Sequence, residues 1–169
     1  FALLTNTTGQ YNVAVGAYSL YSNTTADQNT AVGYKALEDN TTSVNGTAIG
    51  YEALKVNTGA NNTAVGAGVL IANTSGTQNT AMGSLCMDAN TTGSYNTSMG
   101  YNSLGANTTG EKNTAFGLDA LAANTTASNN AAFGRRALKA NTTGTLLVAV
   151  GQGALESNTT ANSNTAVGC

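Results

Sequence analysis

The apolar positions of this chain recur with a period of 17. A short phrase closes in glycine again and again, at Gly16, Gly33, Gly50, Gly66, Gly83, Gly100, Gly117, Gly134, Gly151 and Gly168. The spacing is 17 residues throughout, except for 16 between Gly50 and Gly66. The position before each of these glycines is large and apolar: Val15, Val32, Ile49, Val65, Met82, Met99, Phe116, Phe133, Val150 and Val167. The position before that is Ala in nine repeats and Ser98 in the other. Four places after Gly stands Leu, or Met87. Seven places after, Asn is invariant: Asn6, Asn23, Asn40, Asn57, Asn73, Asn90, Asn107, Asn124, Asn141 and Asn158, each followed by Thr. Internal repetition of this kind is the signature of a solenoid or array. It runs through residues 1–169 with no linker, so the chain reads as one repeat domain.

Within a repeat, "NTAVG" predicts a short strand that ends at Gly, where the chain turns tightly. The next apolar pair, Ala-Leu, predicts a second short strand. Asn-Thr-Thr is turn chemistry, because Asn hydrogen-bonds nearby backbone and tolerates left-handed conformations. A single helical turn is the competing reading for "GYEALKV" and "GRRALKA". Such pieces are at most about seven residues long, well short of the ~12–15 an isolated helix needs. The expected fold is therefore all-β: a parallel β-solenoid, or β-roll, of ten 17-residue coils. Stacked at about 4.8 Å per coil, they make a rod of about 48 Å. Equivalent residues then align in columns. The Asn column becomes a ladder, since each amide offers an acceptor and two donors to its neighbours above and below.

Charge is confined to a few positions of the repeat. Lys35, Glu52, Asp119, Arg135 and Arg136 stand one or two places after Gly; Glu38, Asp39, Lys55, Asp88, Lys139 and Glu156 five or six; Asp27, Glu111 and Lys112 eleven or twelve. An unpaired buried charge is costly, so the charge-free columns, Val and Leu alike, are expected inside. That leaves two large apolar side chains per coil, a thin core, so association between chains is expected to add burial.

Composition narrows the function. Only 8% of residues are charged, and the net charge of -2 attracts neither nucleic acid nor an anionic membrane. No segment approaches the ~18 apolar residues of a membrane helix. His is absent, carboxylates are scattered, and neither cysteine, Cys86 or Cys169, has a base beside it. The sequence thus predicts no catalysis, no metal site and no cofactor.

"NTAVGYKAL", "GTAIGYEAL" and "NTSMGYNSL" closely resemble the "NTAxGxxALxxNTTG" repeat arrays of phage tail fibres and other surface fibres. More loosely, they resemble the head repeats of YadA-like trimeric autotransporter adhesins, which are shorter and lack the Asn-Thr-Thr turn. The resemblance implies a parallel β-roll fibre segment, trimeric, on a cell surface or virion. The expected function is thus a structural rod in an extracellular fibre or filament, with further copies of itself as partner, as a trimer or stacked head to tail. Phe1 and Cys169 fall in consecutive register, so the rod is expected to be uncapped and to continue at both ends. The alternative function is an adhesin whose variable outward positions contact surface glycans.

Three surface features bear on that alternative. Tyr34, Tyr51 and Tyr101 share the position after Gly and are candidate carbohydrate contacts, or plain cover for the roll edge. Asn-X-Ser/Thr sequons occur at Asn6, Asn23, Asn40, Asn45, Asn61, Asn73, Asn90, Asn96, Asn107, Asn124, Asn141 and Asn158. They read either as glycan acceptors or as a by-product of the turn, and an Asn inside a ladder excludes a sugar. Ice binding needs flat ranks of outward Thr at alternate strand positions, whereas the paired Thr residues here belong to turns.

Overall fold

The computed structural model describes all 169 residues. It contains no helix and ten three-residue strands: β1 Val13–Val15, β2 Thr30–Val32, β3 Thr47–Ile49, β4 Thr63–Val65, β5 Thr80–Met82, β6 Thr97–Met99, β7 Thr114–Phe116, β8 Ala131–Phe133, β9 Val148–Val150 and β10 Thr165–Val167. They form one parallel sheet in chain order. Register is strict: Ala14 pairs with Ala31, Ala31 with Ala48, and Ala132 with Ala149. The chain is a β-solenoid, with about nine turns between its first and last strands. The 16-residue repeat keeps that register, Ala48 pairing with Ala64, so the missing residue is absorbed in the turn.

Most of the coil-to-coil bonding lies outside the strands. Of 107 backbone hydrogen bonds, 89 belong to turns and loops. Leu20 N–H donates to Ala36 O of the next coil, and Lys35 N–H to Ala17 O of the previous one. The turns therefore stack as regularly as the sheet, which is why three-residue strands suffice. Gly at the strand end makes this stacking close. Gly100 has φ +136°, and a Cβ there would lie 2.6 Å from Gly117 O. No L-residue fits that approach.

Two expectations are corrected. The Ala-Leu pair is not a second strand; it lies in a turn, and the Leu backbone is left-handed. From Leu3 to Leu155, Met87 included, φ at this position runs from 46 to 53°. Left-handed geometry costs an L-residue about 1–2 kcal/mol. Full burial of a Leu side chain contributes about 1.5–3 kcal/mol, enough to hold it there. Leu20, Leu37, Leu54, Leu70, Leu104, Leu121 and Leu138 are completely buried.

The second correction concerns the large apolar column before Gly, which faces outward. Val15, Ile49, Met82, Met99, Phe133, Val150 and Val167 are exposed, and Val32, Val65 and Phe116 are half-buried. The residue turned inward is the small one between: Ala31, Ala48, Ala64, Ala81, Ala115, Ala132 and Ala149 are fully buried. Strand neighbours point to opposite faces, so only one parity enters the core. The Leu column, with the small residues on either side, already fills the narrow interior. A Val or Phe facing in would overpack it.

Candidate functional site

The expected Asn column lies inside. Asn23, Asn40, Asn57, Asn73, Asn90, Asn107, Asn124 and Asn141 are completely buried, whereas Asn6 is exposed and Asn158 half-buried in the end coils. Along the regular coils each amide Nδ2 reaches back one coil and also caps its own turn. Asn107 Nδ2 donates to Asn90 Oδ1 at 2.8 Å and to Gly110 O at 3.1 Å. Asn124 Nδ2 donates to Asn107 Oδ1 at 3.0 Å, Asn90 to Asn73 at 2.9 Å, and Asn73 to Asn57 at 2.8 Å.

Sequence reasoning missed a second ladder. It consists of Asn12, Asn29, Asn62, Asn79, Asn96, Asn113, Asn130 and Asn164, one place before the strand. Each buried Oδ1 accepts the backbone N–H of the same position in the next coil. Asn113 N–H donates to Asn96 Oδ1 at 3.0 Å, and Asn130 N–H to Asn113 Oδ1 at 3.1 Å. Each buried Nδ2 bonds a turn carbonyl of the following coil, as Asn113 does with Ala127 O at 2.9 Å. The signal was present in the recurrent "NT" before the strand, but Gly46 and Leu147 interrupt it and hid the column. Buried amides need partners, and the two ladders supply them. A third rank lies at the surface, where the Thr after a ladder Asn donates its hydroxyl to the carbonyl of its counterpart. Thr91 Oγ1 bonds Thr108 O at 3.0 Å.

The ladders hold most sequon amides inside the fold. Every fully buried ladder amide donates its Nδ2 protons within the fold, and Asn96 of the second ladder is buried too. Of the sequons between the two end coils, only Asn45 and Asn61 are exposed, with Asn45 Nδ2 donating to Asn61 Oδ1 at 3.1 Å.

The tyrosines separate. Tyr34 and Tyr51 stack, with ring centroids 5.5 Å apart and planes at 19°. Tyr18 meets Tyr34 edge-on at 6.1 Å and extends toward Tyr21 and Phe1, forming an aromatic strip over the first coils. Tyr101 is exposed three coils further on and makes no aromatic contact. Opposite charges alternate along the turns, with Lys35 3.4 Å from Glu38 and Lys139 3.1 Å from Asp119. The surface has no pocket and no cluster of three metal-ligating side chains. No helix is long and apolar enough to cross a membrane. Cys86 is buried, and burial pushes its thiol up to about 11, while Cys169 is exposed.

No family model, curated protein or solved structure matches the chain.

Proposed function

We propose that the chain is a structural segment of an extracellular fibre or filament, a repetitive rod without catalytic chemistry. The observation that carries this reading is the in-register stacking of ten coils, bonded throughout by sheet and turn and along most of the length by two asparagine ladders. Invariant residues serve the stack, and the variable ones lie on the turns. A fold of this kind gains length by adding coils, each bonded only to its neighbours. The resemblance to tail-fibre and surface-fibre arrays points the same way, and its partner is further copies of the chain. The test is electron microscopy of the native particle together with variants carrying two or four duplicated coils. A rod that lengthens by about 4.8 Å per coil supports the reading. A compact particle of unchanged length would overturn it, as would labelling by specific antibody only inside the producing cell.

Glycan contact is the second reading, favoured by the exposed Tyr34–Tyr51 stack. Saturable binding on a glycan array that is lost in the Tyr34→Ala/Tyr51→Ala variant would establish it. Binding unchanged by the substitutions would exclude this strip.

A further inference from the structure

The outer face of the sheet is uncharged, carries one unbroken apolar column and has nothing over it. Along the rod it presents two columns. One is the large residue before Gly. The other, two places earlier, is Val13, Thr30, Thr47, Thr63, Thr80, Thr97, Thr114, Ala131, Val148 and Thr165. None of the fourteen charged residues of the chain occupies any strand position. Met82, Met99 and Phe133 are each about 40% exposed, and Phe116 stacks on Phe133 with centroids 5.4 Å apart. A lone rod in water has every reason to carry charge here, since an uncovered apolar stripe of this length drives association.

We propose that this face is a lateral interface, covered by the same face of a second copy of the chain, with the two rods parallel and level, coil on coil. Three features identify the occupant. Its spacing repeats with the coil, and only another rod of the same pitch matches it along the whole length. Its area is also sufficient. A face about 48 Å long and roughly 12 Å wide buries on the order of 600 Å² per rod, so about 1,200 Å² for the pair. That reaches the lower bound of stable specific interfaces, about 1,200 Å². Finally, the two columns are complementary in size. Each strand sets a large residue beside Thr or Ala in eight of the ten coils, and the bulky Phe133 stands beside the small Ala131. Two level rods related by a two-fold axis along their length lay the large column of one over the small column of the other. Antiparallel rods would set large against large.

The inference deepens the fibre reading by naming the surface through which rods associate. Its test can fail while the rod reading stands. The triple variant Ile49→Lys/Met99→Lys/Phe133→Lys changes only outward side chains. The expected result is a native sedimentation mass of at least twice 16.9 kDa, falling to 16.9 kDa in the variant with an unchanged circular dichroism spectrum. A second measurement does not depend on that variant folding. In a Cys169→Ser background, differently tagged Thr97→Cys and Met99→Cys chains are mixed and oxidised. Level pairing forms the mixed disulfide. Thr30→Cys, four coils away and about 19 Å off along the rod, does not form it with Met99→Cys. A monomeric native chain at high concentration, or a mixed disulfide equally frequent at both levels, overturns the proposal.

Discussion

The coils around Asn107 and the coils around Asn57 are built from the same phrase, yet only the first are complete. From Asn73 to Asn141 every ladder amide hands a proton to the one before it. At the short repeat the sequence has lost one Thr of Asn-Thr-Thr. Asn57 Nδ2 then bonds Ser43 Oγ at 3.3 Å in place of the ladder oxygen, and Asn40 Oδ1 is buried without a partner. The rung below is also stretched, with Asn40 Nδ2 3.5 Å from Asn23 Oδ1. The second ladder is interrupted beside the same joint, because Gly46 has no Oδ1 to accept the backbone N–H of Asn62. Asn62 Nδ2 keeps its bond to Gly76 O at 2.7 Å and adds one to Asn57 Oδ1 at 3.2 Å. The sheet crosses this joint in register while both ladders are cut. Strand pairing and side-chain ladders are thus separable devices, and loss of one residue from a coil damages only the second.

The largest expected effect is in the complete region. Asn107→Ala removes two donated bonds and leaves Asn124 Nδ2 without its ladder acceptor, so it should destabilise by about 1–3 kcal/mol in urea unfolding. Lys112→Ala, on the surface, should change stability by less than about 0.5 kcal/mol. Asn57→Ala loses a long 3.3 Å bond to Ser43 Oγ where Asn107→Ala loses a 2.8 Å rung, and Asn62 Nδ2 keeps Gly59 O and Gly76 O, so Asn57→Ala should cost less than Asn107→Ala. Equal losses for Asn57 and Asn107 would dissolve the distinction between the two regions.

Repair is the converse experiment. Inserting Thr between Thr58 and Gly59, combined with Gly46→Asn, restores both ladders. The expected gain is about 1 kcal/mol for a donor supplied to Asn40 Oδ1, with slower amide exchange on both sides of the joint. No gain would mean that the orphan oxygen is already satisfied by water.

Local opening can be read by thiol labelling. Cys86 stands three places after Gly in a complete coil, and Ala53 occupies the same position in the short one. In native protein at pH 8 only Cys169 should react promptly, because burial holds the Cys86 thiol at about 11. In the Ala53→Cys variant, the introduced thiol should label several-fold faster than Cys86. Slower labelling of the introduced thiol would place the weak joint elsewhere.

The smallest effect is in acid. The hydrogen bond from Asn102, and then Lys139, holds the Asp119 carboxyl below its ordinary value. Its contribution is present above the unfolded carboxylate range, near pH 4, and is lost as pH falls through the lower folded value. Burial raises Asp88, so its contribution is present below about pH 4 and is lost as pH rises through the folded value. Asp119→Asn should therefore lower stability at pH 7, and Asp88→Asn should raise it, each by about 0.5 kcal/mol or less. Shifts of the same sign in thermal melts across pH 3–7 would contradict the two environments. Both residues lie in complete coils, so neither substitution should alter thiol labelling in the Ala53→Cys background.

The period, the Gly turn and the Asn column were determined by the sequence itself, because each depends on one residue type that nothing else replaces. Only Gly tolerates the close carbonyl approach at Gly100, and the Asn amide, with two donors and an acceptor, bonds along the column and caps its own turn at once. Which apolar column became the core was decided by the tertiary structure. A position without charge is equally consistent with an interior and with a covered outer face, and the period of two inside a strand does not say which parity turns in. Closing 17 residues into one narrow coil settled it. The interior accepts one Leu and several small side chains per turn, so Ala faced in and Val, Met and Phe faced out. The left-handed Leu was invisible for the same reason. Local preference argues against that backbone, and it is held only by burial that exists once the neighbouring coils are in place.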